Sequence, residues 1–345
     1  MKIGICCNVF GPSGGMERYT LDLTRGLLEN GHDVEIFTKK IKPMDGLDFD
    51  VPVRRCNLSL FPGKLHDYLF SLWLKKAKEK HHIATLIGCC RNFAADLAIC
   101  GGTHVGFLKA IHRDPRLSDK LAIYVERRYY REAKTIVAHS KLMAKELQEF
   151  YAVDPQKIKV LYPPSSLVRF SPCSEEERIR LREQLGLPKD RKVFLFVSSS
   201  HERKGFPLLQ KFFETTDLPV TLAVAGRPIP QGLKNIRYLG YRNDIENLYR
   251  ACDFSILASL YEPFGLAAVE SLLCGTPVVI ADNVASGEII PDSSKFTFKC
   301  NDLSSLSCAI AQAVKGDNIA LPDIPALSET LGIRSHIKAI ENLIS

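Results

Sequence analysis

The feature that most constrains this chain is its alternation of short apolar strands with helices, which occurs in two successive series. In the first series, a strand predicted over 2–8 is followed by a glycine-containing loop, a helix from about Met16 to Asn30 and a strand over 33–38. The second series begins with a strand predicted over 193–198. Strand–helix–strand units of this kind form parallel sheets, so we predict an α/β fold with two domains.

The two series are separated by Pro163 and Pro164. These residues end the preceding strand, because proline lacks a backbone donor and restricts the residue before it. We place the domains at residues 1–166 and 167–332. The chain has 345 residues, 46% of them hydrophobic, which is enough for two cores. A last amphipathic helix, about 333–345, either packs on the second domain or returns to the first.

Composition argues against several classes of protein. No run of eighteen or more apolar residues occurs, so no transmembrane helix is predicted. The apolar run at the N-terminus is too short for a signal peptide. The eleven cysteines include no C-x-x-C pair and lie mostly in apolar sequence, which predicts reduced, buried thiols. We therefore expect a cytoplasmic protein, which is either free or peripherally associated with the inner face of the membrane.

The positive charge of the chain, +7 overall, suits an anionic partner such as phosphate or a phospholipid surface, and we expect no nucleic acid partner. The basic clusters lie in the first half of the chain, at Lys75, Lys76, Lys78, Lys80, Arg127, Arg128 and Arg131. Segment 65–82 mixes four of these lysines with apolar Leu69, Leu72 and Trp73. It is either a helix that lies on an anionic membrane surface or a core helix with a solvated basic end.

The most informative segment is 259–277, which follows a strand predicted over 254–257. Glu262 and Gly265 lie in its turn, and Glu270 lies about one turn into the helix that follows. A strand–turn–helix junction directs backbone N–H groups and a positive helix end at one spot, which suits a diphosphate. One glutamate would then meet a transferred sugar and the other ribose hydroxyls. The alternative is a first-turn helix acid and a solvated surface acid.

Two further loops carry candidate ligand-binding residues. Arg203 and Lys204 follow the strand over 193–198, where cations would neutralise a diphosphate and stabilise it as a leaving group; the alternative is an exposed basic turn. Gly14 and Gly15 follow the first strand without a complete dinucleotide or phosphate-loop fingerprint. They would let the backbone approach a ligand closely, or form a plain β–α turn.

The polar candidates of the first domain are more isolated. His104 follows a strand predicted over 97–100 and would hydrogen-bond a donor sugar, although a lone histidine is often structural. Asp96 is a further candidate, and His139 would either face the site or help to begin a helix with Ser140.

One pair of acids resembles a metal motif. Asp48 and Asp50 have the D-x-D spacing of metal-dependent transferases, but they lie in a Pro- and Gly-rich connection that we interpret as an exposed turn. We expect no metal and no cofactor.

These residues together resemble a known family. The spacing Glu262-x7-Glu270, with Gly265 and Gly275-Thr276-Pro277, resembles the E-x7-E motif of the retaining glycosyltransferases of family 4, which have the GT-B fold. The resemblance covers nearly the whole chain. Within the family, the segments 203–205 and 240–244 most resemble the bacterial lipopolysaccharide core glucosyltransferases.

The resemblance implies a GT-B fold of two Rossmann-like domains facing a central cleft, retained anomeric configuration and no essential metal. It assigns Glu262 to the sugar, Glu270 to the ribose, and Arg203 and Lys204 to the diphosphate. The phosphate site is completed by amides near Gly265 and Leu266 and by Gly14 and Gly15. His104 matches a sugar-contacting residue, and Arg242 joins the donor-binding set. The common form of the family has arginine where Ser199 stands, so Arg203 is expected to substitute for it.

The expected reaction is hexose transfer, with UDP-glucose as the first guess for donor and a cell-surface glycan or glycolipid such as lipopolysaccharide core as acceptor. Three alternatives stay open. A nicotinamide-dependent oxidoreductase lacks support because the dinucleotide fingerprint is missing. A nucleotide-sugar epimerase of the same fold, or a nonenzymatic nucleotide-sugar-binding protein, would be distinguished by sugar release or transfer from a labelled donor.

Overall fold

The computed structural model describes residues 1–12, 14–43, 49–316 and 324–344. The chain divides into two compact units. The first consists of residues 1–164 together with 330–345, and the second of residues 165–329. The boundary therefore falls two residues before the position predicted from the prolines, and the chain rejoins the first unit at Thr330, slightly before the last helix begins.

In the part of the chain that the structure describes, the first unit contains a seven-stranded sheet whose paired strands are all parallel. Its strands are β1 (Lys2–Phe10), β2 (Asp33–Ile41), β3 (Val53–Arg55), β4 (Thr85–Gly88), β5 (Leu97–Cys100), β6 (Thr135–Ala138) and β7 (Ile158–Val160). Their spatial order is β3-β2-β1-β4-β5-β6-β7. All of β5 is buried, as expected for a strand covered on both faces.

The helices of the first unit cover this sheet. They are α1 (Gly15–Glu29), α2 (His66–Lys80), α3 (His104–Ala110), α4 (Leu117–Glu132) and α5 (Lys141–Tyr151). Side-chain caps explain where two of them begin, because the Thr103 hydroxyl accepts from the Gly106 amide and the Ser140 hydroxyl from the Met143 amide. α2 follows β3 in the chain and ends shortly before β4 begins.

The second unit repeats this architecture with a six-stranded parallel sheet in its described part. Its strands are β8 (Lys192–Ser198), β9 (Val220–Gly226), β10 (Ile236–Gly240), β11 (Phe254–Leu257), β12 (Val278–Ala281) and β13 (Lys295–Phe298), in the order β10-β9-β8-β11-β12-β13. Its helices are α6 (Glu175–Gln184), α7 (His201–Lys204), α8 (Phe206–Thr215), α9 (Ile245–Ala251), α10 (Leu266–Leu273) and α11 (Leu303–Lys315).

The C-terminal helix packs on the first unit, which resolves the alternative that the sequence left open. After α12 (Ile324–Leu331), α13 (Ile333–Ile344) lies against α1, where Ile337 and Ile340 join the core formed by the first sheet. The approach is so close that a Cβ at Gly26 would lie 2.4 Å from the Ile337 side chain. His336 Nε2 and the Tyr19 hydroxyl are 2.8 Å apart, which adds a buried polar link.

Candidate active site

The sheet of the second unit has a point at which its strand order reverses. β8 and β11 are neighbours, with Phe194 opposite Phe254, while the chain leaves β8 toward β9 on one side and β11 toward β12 on the other. The loops that follow β8 and β11 therefore diverge from a common point at the carboxyl edge. In open α/β sheets this crevice is where ligands bind.

The turn after β11 is fixed by contacts from the loop after β12. The Asn283 side-chain amide donates to the carbonyls of Ser259 and Leu260, at 3.0 and 2.7 Å. Glu262 forms a parallel bridge with Val284. The backbone that carries Glu262 is thus held by two neighbouring loops rather than being a free surface turn.

Gly265 ends this turn in a conformation that favours glycine. Its φ is +95°, and a Cβ there would lie 2.9 Å from Val284 Cγ1 and 3.1 Å from Glu262 Cγ. Gly265 is the N-cap residue of α10, so the amides of Leu266 and its successors lie in the first turn, where helical N–H groups lack intrahelical acceptors. The turn therefore presents a helix N-terminus beside the Glu262 side chain.

The loop after β8 brings two cations to the same place. It forms the short helix α7, whose last residues are Arg203 and Lys204, and the Leu260 amide donates to the Arg203 carbonyl at 2.9 Å. Gly205 follows with φ +79°, and a Cβ there would lie only 2.0 Å from the Ala258 carbonyl oxygen. Close packing of this glycine on the neighbouring loop places α7 directly against the turn of Glu262.

Lys204 and Glu262 form a half-buried ion pair at the centre of this arrangement. Lys204 Nζ donates to Glu262 Oε2 at 2.7 Å, with side chains 17% and 12% exposed. The Ser259 hydroxyl donates to the same oxygen at 2.9 Å. Arg203 Nη1 lies 4.0 Å from it and donates to the Tyr261 carbonyl at 3.2 Å.

The charge state of Glu262 follows from these contacts. Burial alone would raise the pKa of Glu262, but Lys204, Arg203 and the Ser259 hydroxyl outweigh burial and hold the pKa below its usual range. Glu262 is therefore ionised at neutral pH. An ammonium has three donors and a guanidinium five, so Lys204 and Arg203 keep hydrogen-bonding capacity for a further anion.

Glu270 lies on α10, about one turn into the helix that begins after Gly265, and is half-buried. Glu270 acts electrostatically on Tyr249 of α9. Burial raises the pKa of the Tyr249 hydroxyl well above its usual value, and the Glu270 carboxylate raises it further. The structure thus places both predicted glutamates on the strand–turn–helix segment, one in the turn and one on the helix.

Arg242 lies apart from these residues. It is in the exposed loop after β10, the edge strand, which β9 separates from β8. Its guanidinium donates to the Asp244 carboxylate at 2.9 and 2.7 Å. The structure does not bring Arg242 into contact with Lys204 or Glu262, because the intervening strand separates their loops.

The first unit has an equivalent reversal of strand order between β1 and β4. Gly14 and Gly15 follow β1 and begin α1. Gly14 is extended, with φ −158°, and a Cβ at Gly15 would meet no atom within 4 Å. Neither backbone conformation demands glycine, but the space around Gly15 is open to a ligand.

A cavity of about 290 Å³ lies at this reversal point, and the sequence did not predict it. Arg91, three residues after β4 ends, contributes a cation to this cavity: its Nη1 donates to Asp67 Oδ2 at 3.0 Å, and its Nε lies 3.5 Å from Glu126 Oε1. Asn8 and Cys89 also line it. Arg91 follows a buried strand, which is the one signal that would have indicated it; Asp67 and Glu126 come from distant helices and have no motif.

His104 begins α3 and is oriented by an acid. Its Nε2 lies 2.8 Å from Asp119 Oδ1, and its backbone amide donates to Glu126 at 2.9 Å. Hydrogen bonds from Arg113, the Arg116 amide and His104 hold the pKa of Asp119 well below its usual range. The imidazole is therefore fixed at the carboxyl end of β5 by an ionised carboxylate.

Three weaker candidates have structural positions. Asp96 lies at the amino end of β5, the wrong edge for the site, where it accepts from Lys78 at 2.6 Å and from the Leu86 amide. His139 is buried, and burial lowers its pKa to about 3, while Ser140 caps α5. Asp48 lies outside the described residues.

Neither a cluster of metal ligands nor a membrane-spanning helix occurs among the residues that the structure describes. Within 1–12, 14–43, 49–316 and 324–344, no three His, Cys, Asp or Glu side chains are grouped in a way that could hold a metal ion. Over the same ranges, every helix is either too short or too polar to cross a bilayer.

Comparison with known proteins gives the family. A family model described as Glycosyltransferase Family 4 matches residues 13–169, and one described as Glycosyl transferases group 1 matches residues 177–322. A relative from Burkholderia thailandensis, described as a probable transglycosylase, is 45% identical over 315 residues, which cover 91% of this chain and 87% of the relative.

Solved structures give the fold. WaaG, a glycosyltransferase involved in lipopolysaccharide biosynthesis, has a TM-score of 0.82 at 16% identity and covers 99% of both chains. HepE of Anabaena in complex with UDP-glucose has a TM-score of 0.75 at 19% identity, with 99% of each chain covered. Both matches confirm the prediction of two Rossmann-like parallel-sheet domains. The chain therefore belongs to the family 4 glycosyltransferases and has the GT-B fold.

Proposed function

We propose that this glycosyltransferase moves a hexose from a UDP-sugar, with UDP-glucose as the first candidate, to a hydroxyl of a glycan or glycolipid such as lipopolysaccharide core. The proposal draws on the relatives: HepE is described in complex with UDP-glucose, and WaaG is described as involved in lipopolysaccharide biosynthesis. The enzyme class is established by the family, whereas donor, acceptor and stereochemistry are part of the proposal.

The main support for a donor site is that Lys204 and Arg203 lie close to Glu262 beside the N-terminus of α10. Two cations and a helix N-terminus at the carboxyl edge of a parallel sheet suit a diphosphate. We assign the diphosphate to Arg203, Lys204 and the amides of Gly265 and Leu266. Lys204 would keep its bond to Glu262 while its other donors bind phosphate oxygens.

The two glutamates have separate roles in this proposal. Glu262 is ionised and held by Lys204 and Ser259, so its second carboxylate oxygen is the acceptor for hexose hydroxyls. Glu270 lies further along α10, where it would accept hydrogen bonds from ribose hydroxyls. Because both acids are fixed by one turn and one helix, the distance between the sugar and the ribose subsites is set by backbone geometry.

The reaction would proceed with retention. The bond between the anomeric carbon and the phosphate oxygen breaks, the acceptor oxygen bonds to the same face of that carbon, and its proton passes to an oxygen of the departing phosphate. Arg203 and Lys204 stabilise the charge that develops on the diphosphate. We propose that this role needs no metal and no cofactor, because the two side chains supply the positive charge.

The first unit would supply the remaining contacts. The open space at Gly15, with Gly14 before it, would allow a close approach of the α1 backbone to the donor phosphates. His104 would hydrogen-bond the transferred sugar from the orientation that Asp119 gives it. Arg242 would contribute at the periphery of the donor site, through a guanidinium already bound to Asp244.

We also propose that the first unit contacts an anionic membrane surface from the cytoplasmic side. Its loop before α2 exposes Leu60 and Phe61 at 93% and 49%, and Leu72 of α2 is exposed at 41% near the lysines of that helix. Apolar side chains beside lysines favour an anionic interface. Co-sedimentation with vesicles of phosphatidylglycerol but not phosphatidylcholine is the expected result, and equal binding to both would contradict it.

The test of the reaction is a transfer assay with UDP-[14C]glucose, with and without a lipopolysaccharide core acceptor, in the presence of EDTA. Transfer of label to acceptor, with an α-linked product by NMR from the α-linked donor, is expected. Conversion of the donor to another UDP-sugar would indicate an epimerase, and binding without conversion a nonenzymatic protein. A β-linked product would show inversion and overturn the proposed stereochemistry.

A further inference from the structure

The helix α2 presents two basic faces whose surroundings differ. Trp73, Lys76, Ala77, Lys80 and His81 recur at intervals of three and four residues, so they share one face of the helix and its C-cap. This face lies against the edge strand β3. Lys75 and Lys78 lie on the other face, which lines a separate cavity.

Both lysines of the second face form ion pairs. Lys75 Nζ lies 3.1 Å from the Glu132 carboxylate, and Lys78 Nζ lies 2.6 Å from Asp96. Glu79, the acid within this part of α2, also lines that cavity rather than the groove beside β3. Each of these lysines therefore contacts a carboxylate, and Glu132 is shared between Lys75 and Arg128.

The first face borders a groove of about 280 Å³ between α2 and β3. Its walls carry Arg54 and Arg55 from the strand and Trp73, Lys76, Lys80 and His81 from the helix. The buried Glu35 of β2 contacts Lys2 at 3.1 Å and two residues of the groove, Arg54 at 2.6 Å and His81 at 3.0 Å. Glu35 is thus already matched by neighbouring cations.

Three cations of the groove keep their charge uncompensated. In the described part of the chain, Arg55, Lys76 and Lys80 form no ion pair, and all three are exposed. The three point charges border one concave space, and like charges held together on a surface repel each other unless an anion lies between them. The contrast with Lys75 and Lys78 on the same helix makes general surface charge an insufficient explanation.

We propose that this groove is a phosphate-binding site, formed by Arg55, Lys76 and Lys80, with the Trp73 ring as an apolar wall for the group that carries the phosphate. Arginine offers a planar pair of donors to phosphate oxygens, and the lysines add point charges. The volume admits a phosphate with a small attached group, such as a glycerol or a single sugar ring. Such a phosphate belongs to a lipid headgroup or to a free sugar phosphate.

The site is separate from the donor contacts proposed at Gly14 and Gly15. β3 is the edge of the sheet, and β2 lies between it and β1, which leads to Gly14 and Gly15. Ligand binding in the groove therefore does not depend on the proposed transfer reaction. Loss of one would leave the other measurable.

The chain contains a single tryptophan, so the fluorescence of Trp73 reports on the groove directly. Its ring stacks on Phe70 at 5.7 Å and meets the edge of Phe37 at 5.9 Å, which fixes it in the wall. The full-length protein is titrated at constant ionic strength with glucose 1-phosphate, with inorganic phosphate, and with vesicles of phosphatidic acid or phosphatidylcholine. Potassium chloride is the reference anion.

The decisive variant is Lys76→Gln with Lys80→Gln, and Lys75→Gln with Lys145→Gln is the control with the same change of net charge. A saturable response to the free phosphates locates a soluble ligand, and a response to phosphatidic acid alone locates a headgroup. In both cases the decisive variant should bind at least about tenfold more weakly while the control is unchanged.

Two results would overturn the proposal. One is the absence of any saturable response beyond that to chloride in every arm. The other is equal weakening by the decisive and control variants, which would show that only net charge matters. Circular dichroism and thermal unfolding of both variants establish that the comparison is made between folded proteins.

Discussion

The two units share one topology, but their strand-reversal points are chemically different. In the second unit, Arg203 and Lys204 meet one buried acid, Glu262, beside a helix N-terminus. In the first unit, Arg91 contacts Asp67 and Glu126, and Lys39 also donates to Asp67. The site of the second unit therefore has more cations than acids, whereas the cluster of the first unit has equal numbers of each.

This difference indicates how similar sheets come to bind different groups. Strand order determines where a ligand can bind, because it decides where neighbouring loops diverge. The charge balance of those loops decides what binds. An excess of cations suits a diphosphate, whereas acids and cations in equal number suit the hydroxyl groups of a neutral sugar. The comparison predicts that phosphate recognition depends on the second unit.

The largest effect is expected from Lys204→Gln, which removes the central cation of the second unit. We expect kcat/KM for transfer to fall by about 10²- to 10³-fold, because charge stabilisation of the leaving group is lost. Stability should fall by about 3 kcal/mol, since Glu262 is left buried without its partner. Steady-state assays and urea unfolding measure the two effects.

The control for this prediction is Lys299→Gln, which removes an exposed lysine of the same unit. A double change, Lys204→Met with Glu262→Gln, should recover much of the stability but none of the activity. If the double variant regains transfer, the cation is structural and the comparison between the units fails.

The two glycine turns provide a second contrast. Gly265→Ala should cost about 3 kcal/mol, because φ is +95° and the new Cβ would contact Val284 and Glu262. Gly15→Ala should leave stability unchanged or slightly higher, because its surroundings are open. Thermal unfolding with UDP-glucose binding tests both. A stable Gly15→Ala variant that binds donor normally would remove the α1 backbone from the donor site.

Acid should weaken the first unit before the second. Burial lowers the pKa of His139 to about 3 and of His336 to about 4, from 6.5. At a pH between the folded pKa of each histidine and 6.5, the unfolded chain binds more protons than the folded protein. The free energy of unfolding therefore falls as pH is lowered from about 6.5, by up to about 1.4 kcal/mol per pH unit for each histidine. The contribution of Glu262, whose pKa is lowered from 4.5, is lost only at lower pH.

Calorimetry between pH 7 and 5 tests this order. We expect the transition of the first unit to move to lower temperature, and His139→Phe to remove about half of that shift while preserving the ring contact with Tyr19. An unchanged pH dependence in the variant would show that other groups titrate.

The smallest effect is expected from Arg242→Ala. Its guanidinium is bound to Asp244 in an exposed loop after β10, and β9 separates this strand from β8. The KM for the donor should therefore rise by only about two- to fivefold, with kcat unchanged. A rise in KM of more than about thirtyfold would show that the donor site extends to the loop after the edge strand β10.

The strands and the motif segment were predictable because both follow local rules. Short apolar runs predicted β5 and β11 with the residues that the structure shows, and the turn, glycine and helix of 262–273 follow from their order in the chain. The edge strands β3 and β13 were missed. β3 has three residues, two of them exposed, and β13 has four residues with only two apolar side chains, so neither carries an apolar run long enough to predict a strand.

The parts of the sites that the sequence did not reveal depend on distant contacts. The ion pair of Lys204 with Glu262 joins residues 58 positions apart, and only the pairing of β8 with β11 brings them together. Asp96 was a wrong candidate because it lies at the amino end of its strand, where Lys78 neutralises it. Helical periodicity places Lys76 and Lys78 on different faces of α2, but only the packing of distant residues shows that Lys78 faces Asp96 and Lys76 faces β3.

The most direct test of the central claim is calorimetric titration of UDP and UMP into the wild-type protein and the Lys204→Gln variant, with EDTA present. If the cations of the second unit bind a diphosphate, UDP, which has one phosphate more than UMP, should bind the wild type at least about tenfold more tightly than UMP. The variant should lose that preference. Equal affinity for the two nucleotides, or a preference that survives in the variant, would contradict the account.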